Sequence, residues 1–193
     1  MRPTRSLAAL LCLAVLCGCG TARTGGTTAT ASPPTRAPTT GAPPASPREP
    51  APTGTAEIDV ERTGGEAVIV YGVRYATHPN FDRVVVDFKG EMPGYTVTWV
   101  DELVEDGSGK PIDVEGGAYL QVTLTPADAH TAKGKPTWTG GPIFQADLGN
   151  VSSVVKTGDF EGRVGVGIVL DRRAAFDVTE QRRPNRVVID VAH

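Results

Sequence analysis

The chain has 193 residues, 39% of them hydrophobic, and carries 22 acidic against 19 basic side chains. That balance lacks the basic excess on which nucleic-acid binding depends, and it argues against a polybasic attachment to a membrane surface. All three cysteines, Cys12, Cys17 and Cys19, lie near the N-terminus, so the rest of the chain has no thiol for a disulfide, a zinc site or a nucleophile.

In MRPTRSLAALLCLAVLCGC, Arg2 and Arg5 precede an apolar run over residues 7–16, followed by small residues and Cys19. This is the layout of a secretory signal, and the run is shorter than the ~20 apolar residues that span a bilayer. Leu16-Cys17-Gly18-Cys19 resembles the bacterial lipobox, in which the final cysteine is lipidated and becomes the mature N-terminus. The resemblance implies a lipoprotein signal peptide over residues 1–18 and lipid, such as palmitate, on Cys19, placing the protein on the outer face of a membrane. An ordinary signal peptide cut nearby without lipid is the alternative. Removing Arg2 and Arg5 with the signal leaves 17 basic residues against 22 acidic, a formal charge of −5.

Residues 20–57 contain no Val, Ile, Leu, Met or aromatic residue, and eight of the chain's 16 prolines fall between positions 33 and 52. Such a Thr/Pro/Ala-rich segment buries nothing and favours extended, polyproline-like conformations. Residues 19–57 are therefore expected to be the lipidated cysteine and a disordered linker. At ~3.1 Å per residue, its roughly 38 residues reach about 120 Å when fully extended, far enough to hold a domain out in cell-wall polymer. Carrying sugars, or merely clearing the export machinery, is the alternative use.

Beyond Ile58 the composition changes, and every aromatic residue lies between Tyr71 and Phe176. In RVVVDFK (83–89), Val84, Val86 and Phe88 share one face while Val85, Asp87 and Lys89 share the other, the period of a half-buried strand. The same alternation recurs at 119–125 and 186–191, and further strands are expected at 68–75, 95–100, 151–156, 163–170 and 175–178. Asp106-Gly107-Ser108-Gly109, Asp159-Phe160-Glu161-Gly162 and Met92-Pro93-Gly94 supply turn chemistry between extended segments. Only residues 126–135 (PADAHTAKGK) suit a helical turn. The expected domain, 58–193, is all-β: an antiparallel β-sandwich of about seven or eight strands, with an open barrel as the alternative.

Chemistry is sparse in this segment. No serine sits in a G-x-S-x-G setting. His78, His130 and His193 share no short ligand spacing, so no metal site and no cofactor are expected, and the acidic residues at 101–106 lack a calcium-loop pattern. GRVGVG (162–167) runs into a strand without the Lys or following helix of a phosphate loop. It places Gly165 and Gly167 on one face, where another backbone or a ligand approaches closely, local packing being the favoured reading. Glycan binding needs flat rings beside hydrogen-bonding groups. Trp138, in an irregular loop, is the candidate platform, whereas Tyr95 and Trp99 alternate with Val97 and belong to the core. His78, Asp82 and Arg83, at a strand junction, are candidates for binding a charged peptide or sugar carboxylate, unless an Asp82-Arg83 pair simply braces the turn.

HPNFDRVV (78–85), DFEG (159–162) and RVVID (186–190), in this order, resemble the AMIN-like domain of actinobacterial secreted proteins and lipoproteins, itself similar to the AMIN domain that accompanies cell-wall amidases and secretin-type pores. The resemblance covers about residues 67–193. It implies a noncatalytic β-sandwich that binds or localises to cell-envelope material such as peptidoglycan or associated glycan. It carries no established functional residues, and the chain ends at His193 with no room expected for a catalytic domain. A protein–protein interaction module of an envelope assembly is the alternative. The expected partners are thus cell-wall polymer or an envelope protein, with the membrane engaged only through lipid.

Overall fold

The computed structural model describes residues 49–62 and 64–193. The signal segment, Cys19 and linker residues 20–48 lie outside the described residues. The strands are β1 (Ile58–Val60), β2 (Val68–Thr77), β3 (Phe81–Lys89), β4 (Gly94–Val100), β5 (Ala118–Thr125), β6 (Ala127–Asp128), β7 (Ile143–Gln145), β8 (Val151–Phe160), β9 (Arg163–Leu170), β10 (Phe176–Gln181) and β11 (Arg186–Ala192). The eight long ones match the eight expected from alternation. β1, β6 and β7, two or three residues each, are additional.

The strands form two sheets, ordered β1-β4-β5-β9-β8-β7 and β10-β11-β3-β2-β6. The fold is therefore a sandwich rather than a barrel, with every pairing antiparallel except β2 with β6. Three of the four edges are these minimal strands, which leave little unpaired backbone for another chain to extend.

Alternation assigns the inner faces. Val84, Val86 and Phe88 of β3 and Val187, Ile189 and Val191 of β11 meet Leu120, Val122 and Leu124 of β5 and Val164, Val166 and Ile168 of β9, all buried in one cluster. Each such side chain contributes roughly 1.5–3 kcal/mol on burial. At one end a polar tie joins the layers: Glu180 accepts from Arg62 Nη2 at 2.6 Å and from the Tyr95 hydroxyl at 3.3 Å. Burial and the Glu180 charge push the Tyr95 phenol above its ordinary value.

Residues 126–135 form no helical turn. Ala127 and Ala129 are buried, and a bridge joins His130 to Pro136, so residues 126–130 run extended along the sheet edge and residues 131–134 close a tight turn. Long-range pairing and two anchored alanines override the local preference. The Asp159–Gly162 turn does join β8 to β9: Glu161 and Gly162 both adopt positive φ, the geometry of a tight two-residue hairpin. Residues 106–109 turn within a loop closed by the Val104–Pro111 bridge.

That loop, residues 101–117, lies across the outer face of the six-stranded sheet. Leu103, Ile112 and Val114 pack there with Val155, Val169 and Tyr119 as a second, smaller core. Gly165 and Gly167 make this approach possible. A methyl at Gly167 would come within 2.5 Å of Leu103 Cδ1, and one at Gly165 would overlap Thr157 Oγ1 and reach within 2.6 Å of Asp106 Oδ2. The glycine face thus serves local packing.

Residues 49–57, expected as the end of the linker, run along the domain. Gly54 O accepts from Phe176 N at 2.7 Å, Thr55 O from Trp99 Nε1 at 3.3 Å and Glu57 Oε1 from Trp99 N at 2.9 Å. Pro52 is buried.

Candidate functional site

Arg83, Val85 and Asp87 of β3 point away from the core, onto the outer face of the five-stranded sheet. Register sets them in three rows: Ala76, Arg83 and Asp190; Arg74, Val85 and Val188; Gly72, Asp87 and Arg186. Three arginines from three strands therefore surround an apolar floor of Val85 and Val188. Arg83 grips Asp190 with two bonds, Nε to Oδ1 at 2.7 Å and Nη2 to Oδ2 at 2.8 Å, and Arg74 holds Asp87 through Nε and Nη2. These carboxylates, against the opposing effect of burial, raise both guanidinium values further above their ordinary range.

Arg186 differs. Its Nε is buried without a hydrogen-bond partner among the described residues.

Phe81 organises the rim. His78 stacks on its ring, with centroids 4.6 Å apart and planes 11° from parallel, and Arg83 Cζ lies 5.1 Å from the same ring. Glu49 Oε2 is 3.5 Å from both His78 Nδ1 and Arg83 Nη2, so a carboxylate from the docked segment already rests against the Arg83 guanidinium and the His78 ring. The cleft between Arg74, His78, Arg83 and Arg186 has a volume of about 280 Å³. A larger depression, about 470 Å³, lies on the outer face of the other sheet among Thr96, Thr123, Thr125 and Arg163. Its rim mixes Asp59, Glu61 and Asp106 with Arg62, and burial raises the Asp106 carboxyl above its ordinary value despite Arg163. Opposing charges there select no one ligand class, and none of His78, Asp82, Arg83 and Trp138 lies in it.

A family model, the AMIN-like domain, matches residues 68–193. The chain belongs to the AMIN-like domain family. Neither a curated protein nor a solved structure matches it. The arginine cleft falls wholly inside the AMIN-like domain, from β2 to β11, while β1 and the docked segment with Glu49 precede the matched span.

Of the residues expected to bind ligand, the AMIN-like domain brings His78 and Arg83 together and separates Asp82 and Trp138 from them. Asp82 has 0% exposure. It accepts Asn150 N–H at 2.6 Å and Val151 N–H at 3.0 Å through Oδ2, and its Oδ1 is 3.0 Å from His193 Nε2. Burial pushes its carboxyl up, but the Val151 and Asn150 N–H groups, His193 and Thr77 together hold it below the ordinary value. No Asp82–Arg83 pair braces the turn, because neighbours in a strand face opposite ways.

Trp138 is 4% exposed. Its ring stacks on Phe144 at 5.5 Å with planes 11° apart, and Lys156 Nζ sits 4.8 Å from its centroid while bonding Trp138 O at 2.6 Å. The loop around it is irregular, but the ring is core and offers no open face to a sugar. Tyr95 is buried and Trp99 packs against the core, as alternation indicated.

Arg74 and Arg186 were not singled out from the sequence. Their positions on the polar faces of β2 and β11 were readable, but their convergence depends on register. For nucleophilic chemistry the described serines offer little: Ser108 bonds Glu105, Ser152 bonds Val169 O and Ser153 bonds Gln145. None of these contacts is to a histidine that could serve as base.

Proposed function

We propose that the protein is an extracytoplasmic lipoprotein, held at the membrane by lipid on Cys19, whose noncatalytic AMIN-like domain binds cell-envelope polymer through the arginine cleft. Family membership supports an envelope-related binding module, and the lipobox-like Leu16-Cys17-Gly18-Cys19 supports the anchor. The carrying observation is the Arg186 guanidinium, with its buried, unpartnered Nε beside Val85 and Val188. A guanidinium whose Nε–H is buried without a partner while the rest of the group reaches the cleft favours a carboxylate or phosphate that accepts from it. Peptidoglycan stem peptides and the phosphates of associated glycans present such groups, and the Val85–Val188 floor receives the apolar part of the ligand.

Cosedimentation of residues 49–193 with purified cell wall tests this. Retention that falls in Arg186→Gln and Arg74→Gln, and weakens as salt screens the contacts, supports the cleft. Equal retention in the variants moves binding to another face. No retention, with one stoichiometric crosslinked protein instead, replaces polymer binding by capture of an envelope protein.

A further inference from the structure

The segment after β5 carries a second cluster, away from the arginine cleft. Ala127 and Ala129 are buried at 0% and 3%, so Asp128 and His130, alternating with them along an extended backbone, face the other way together. Asp128 is fixed by its pairing in β6 with Ile69 of β2, and His130 by its bridge to Pro136. Asp159 comes from the other sheet, in β8 opposite Val164. A bond of 2.8 Å from Ala127 N–H to Gly162 O draws the β8–β9 turn against this segment.

One ligand-type atom from each of Asp128, His130 and Asp159 lies within 4.8 Å of the other two. His130 Nδ1 is 2.6 Å from Asp159 Oδ2. Asp159 Oδ1 is buried with no hydrogen-bond partner among the described residues, an unfavourable state for a carboxylate oxygen unless a positive group reaches it. Lys156 is close enough for its charge to act on Asp159 but makes no hydrogen bond to Oδ1, its Nζ bonding Trp138 O at 2.6 Å and Gly140 O at 3.3 Å.

We propose that Asp128, His130 and Asp159 bind one divalent transition-metal ion, with Zn²⁺ the best fit, which fastens β6 of one sheet to the β8–β9 hairpin of the other. Zinc accepts a mixed set of imidazole nitrogen and carboxylate oxygen at about 2.0–2.2 Å and fills a remaining position with water. Ca²⁺ and Mg²⁺ take larger, all-oxygen sets, and imidazole favours zinc and its neighbours over them. Asp128 and His130 reach the site from one extended segment and Asp159 from β8, so the ion closes a contact between sheets that no disulfide supplies in this part of the chain.

The test is calorimetric titration of the metal-free full-length protein in mild detergent, with Cys12→Ser, Cys17→Ser and Cys19→Ser introduced so that no thiol competes. One equivalent of Zn²⁺ binds, roughly tenfold or more tightly than Ca²⁺ or Mg²⁺, and the melting temperature is higher with Zn²⁺ than with EDTA. His130→Gln, at a side chain 40% exposed where folding is unaffected, and Asp128→Asn each weaken Zn²⁺ binding by roughly tenfold or more. Asp101→Asn, in the acidic run after β4, leaves it unchanged. Absence of saturable Zn²⁺ binding, or one-equivalent binding that survives His130→Gln and Asp128→Asn together in a chain with unaltered circular dichroism, overturns the proposal.

Discussion

Asp82 and Arg83 are consecutive in β3 and send opposite charges to opposite faces of one sheet. Asp82 closes on the buried N–H groups of Asn150 and Val151, tying the five-stranded sheet to the start of β8, while Arg83 turns outward to Asp190. The first contact holds the layers together, and the second shapes the cleft.

Acid should loosen the tie between the layers. Asp82 has a folded-state value below its ordinary 3.8. Its contribution is therefore complete above about pH 4 and is lost as pH falls below that toward the folded-state value. Urea midpoints measured from pH 7 to pH 2 should hold above roughly pH 5 and drop below about 4, with a shallower drop in Asp82→Asn. Asp82→Ala, which orphans two buried donors, should lower unfolding free energy by about 2–4 kcal/mol at pH 7.

Trp138→Ala should act on stability. Removing a ring stacked on Phe144 inside the core is expected to cost about 3–5 kcal/mol, read as a large fall in the urea midpoint. Any loss of wall binding in that variant should track the unfolded fraction and vanish where the protein is fully folded.

Gly165→Ala should displace the covering loop. Its new methyl meets Thr157 and Asp106, so a loss of about 1–3 kcal/mol is expected. Hydrogen exchange should quicken in residues 101–117 before it does in β5 or β9.

Binding at the cleft should respond in opposite directions to two substitutions. Arg186→Gln removes the guanidinium with the unpartnered Nε and should weaken retention on wall polymer. Glu49→Gln removes the carboxylate that rests against His78 and Arg83 and should strengthen retention by severalfold, at an exposed pair worth roughly 1 kcal/mol or less to folding. Paired binding isotherms at low and physiological salt would check both.

The long strands were legible because Val, Ile and Leu alternate with polar residues, and the two-sheet arrangement follows from apolar faces that need covering. β1, β6 and β7 are too short to show a period. The inward fate of Asp82 was also legible, since it shares parity with Val84, Val86 and Phe88. Its partners were not, because Asn150, Val151 and His193 meet it only through the packing of the two sheets. Trp138 shows the limit of local reading: composition marks a loop, but only the fold shows that the loop tucks its ring inward. The paired spacing of Asp128 and His130 became meaningful once residues 127–130 proved extended rather than helical.

The docked segment 49–57 has a mechanical consequence. Tension entering from the N-terminal side of the domain meets, in order, the contacts of Glu49 with Asn80, His78 and Arg83, the Gly54 bond to Phe176 and the Thr55 and Glu57 bonds to Trp99, and only then β1, which is held to β4 by three residue pairs. Loaded in this order, these contacts would open one after another, as a zipper does, ahead of the long central strands. A pull at residue 49 would therefore peel this segment away and draw Glu49 from the cleft before the sandwich is strained.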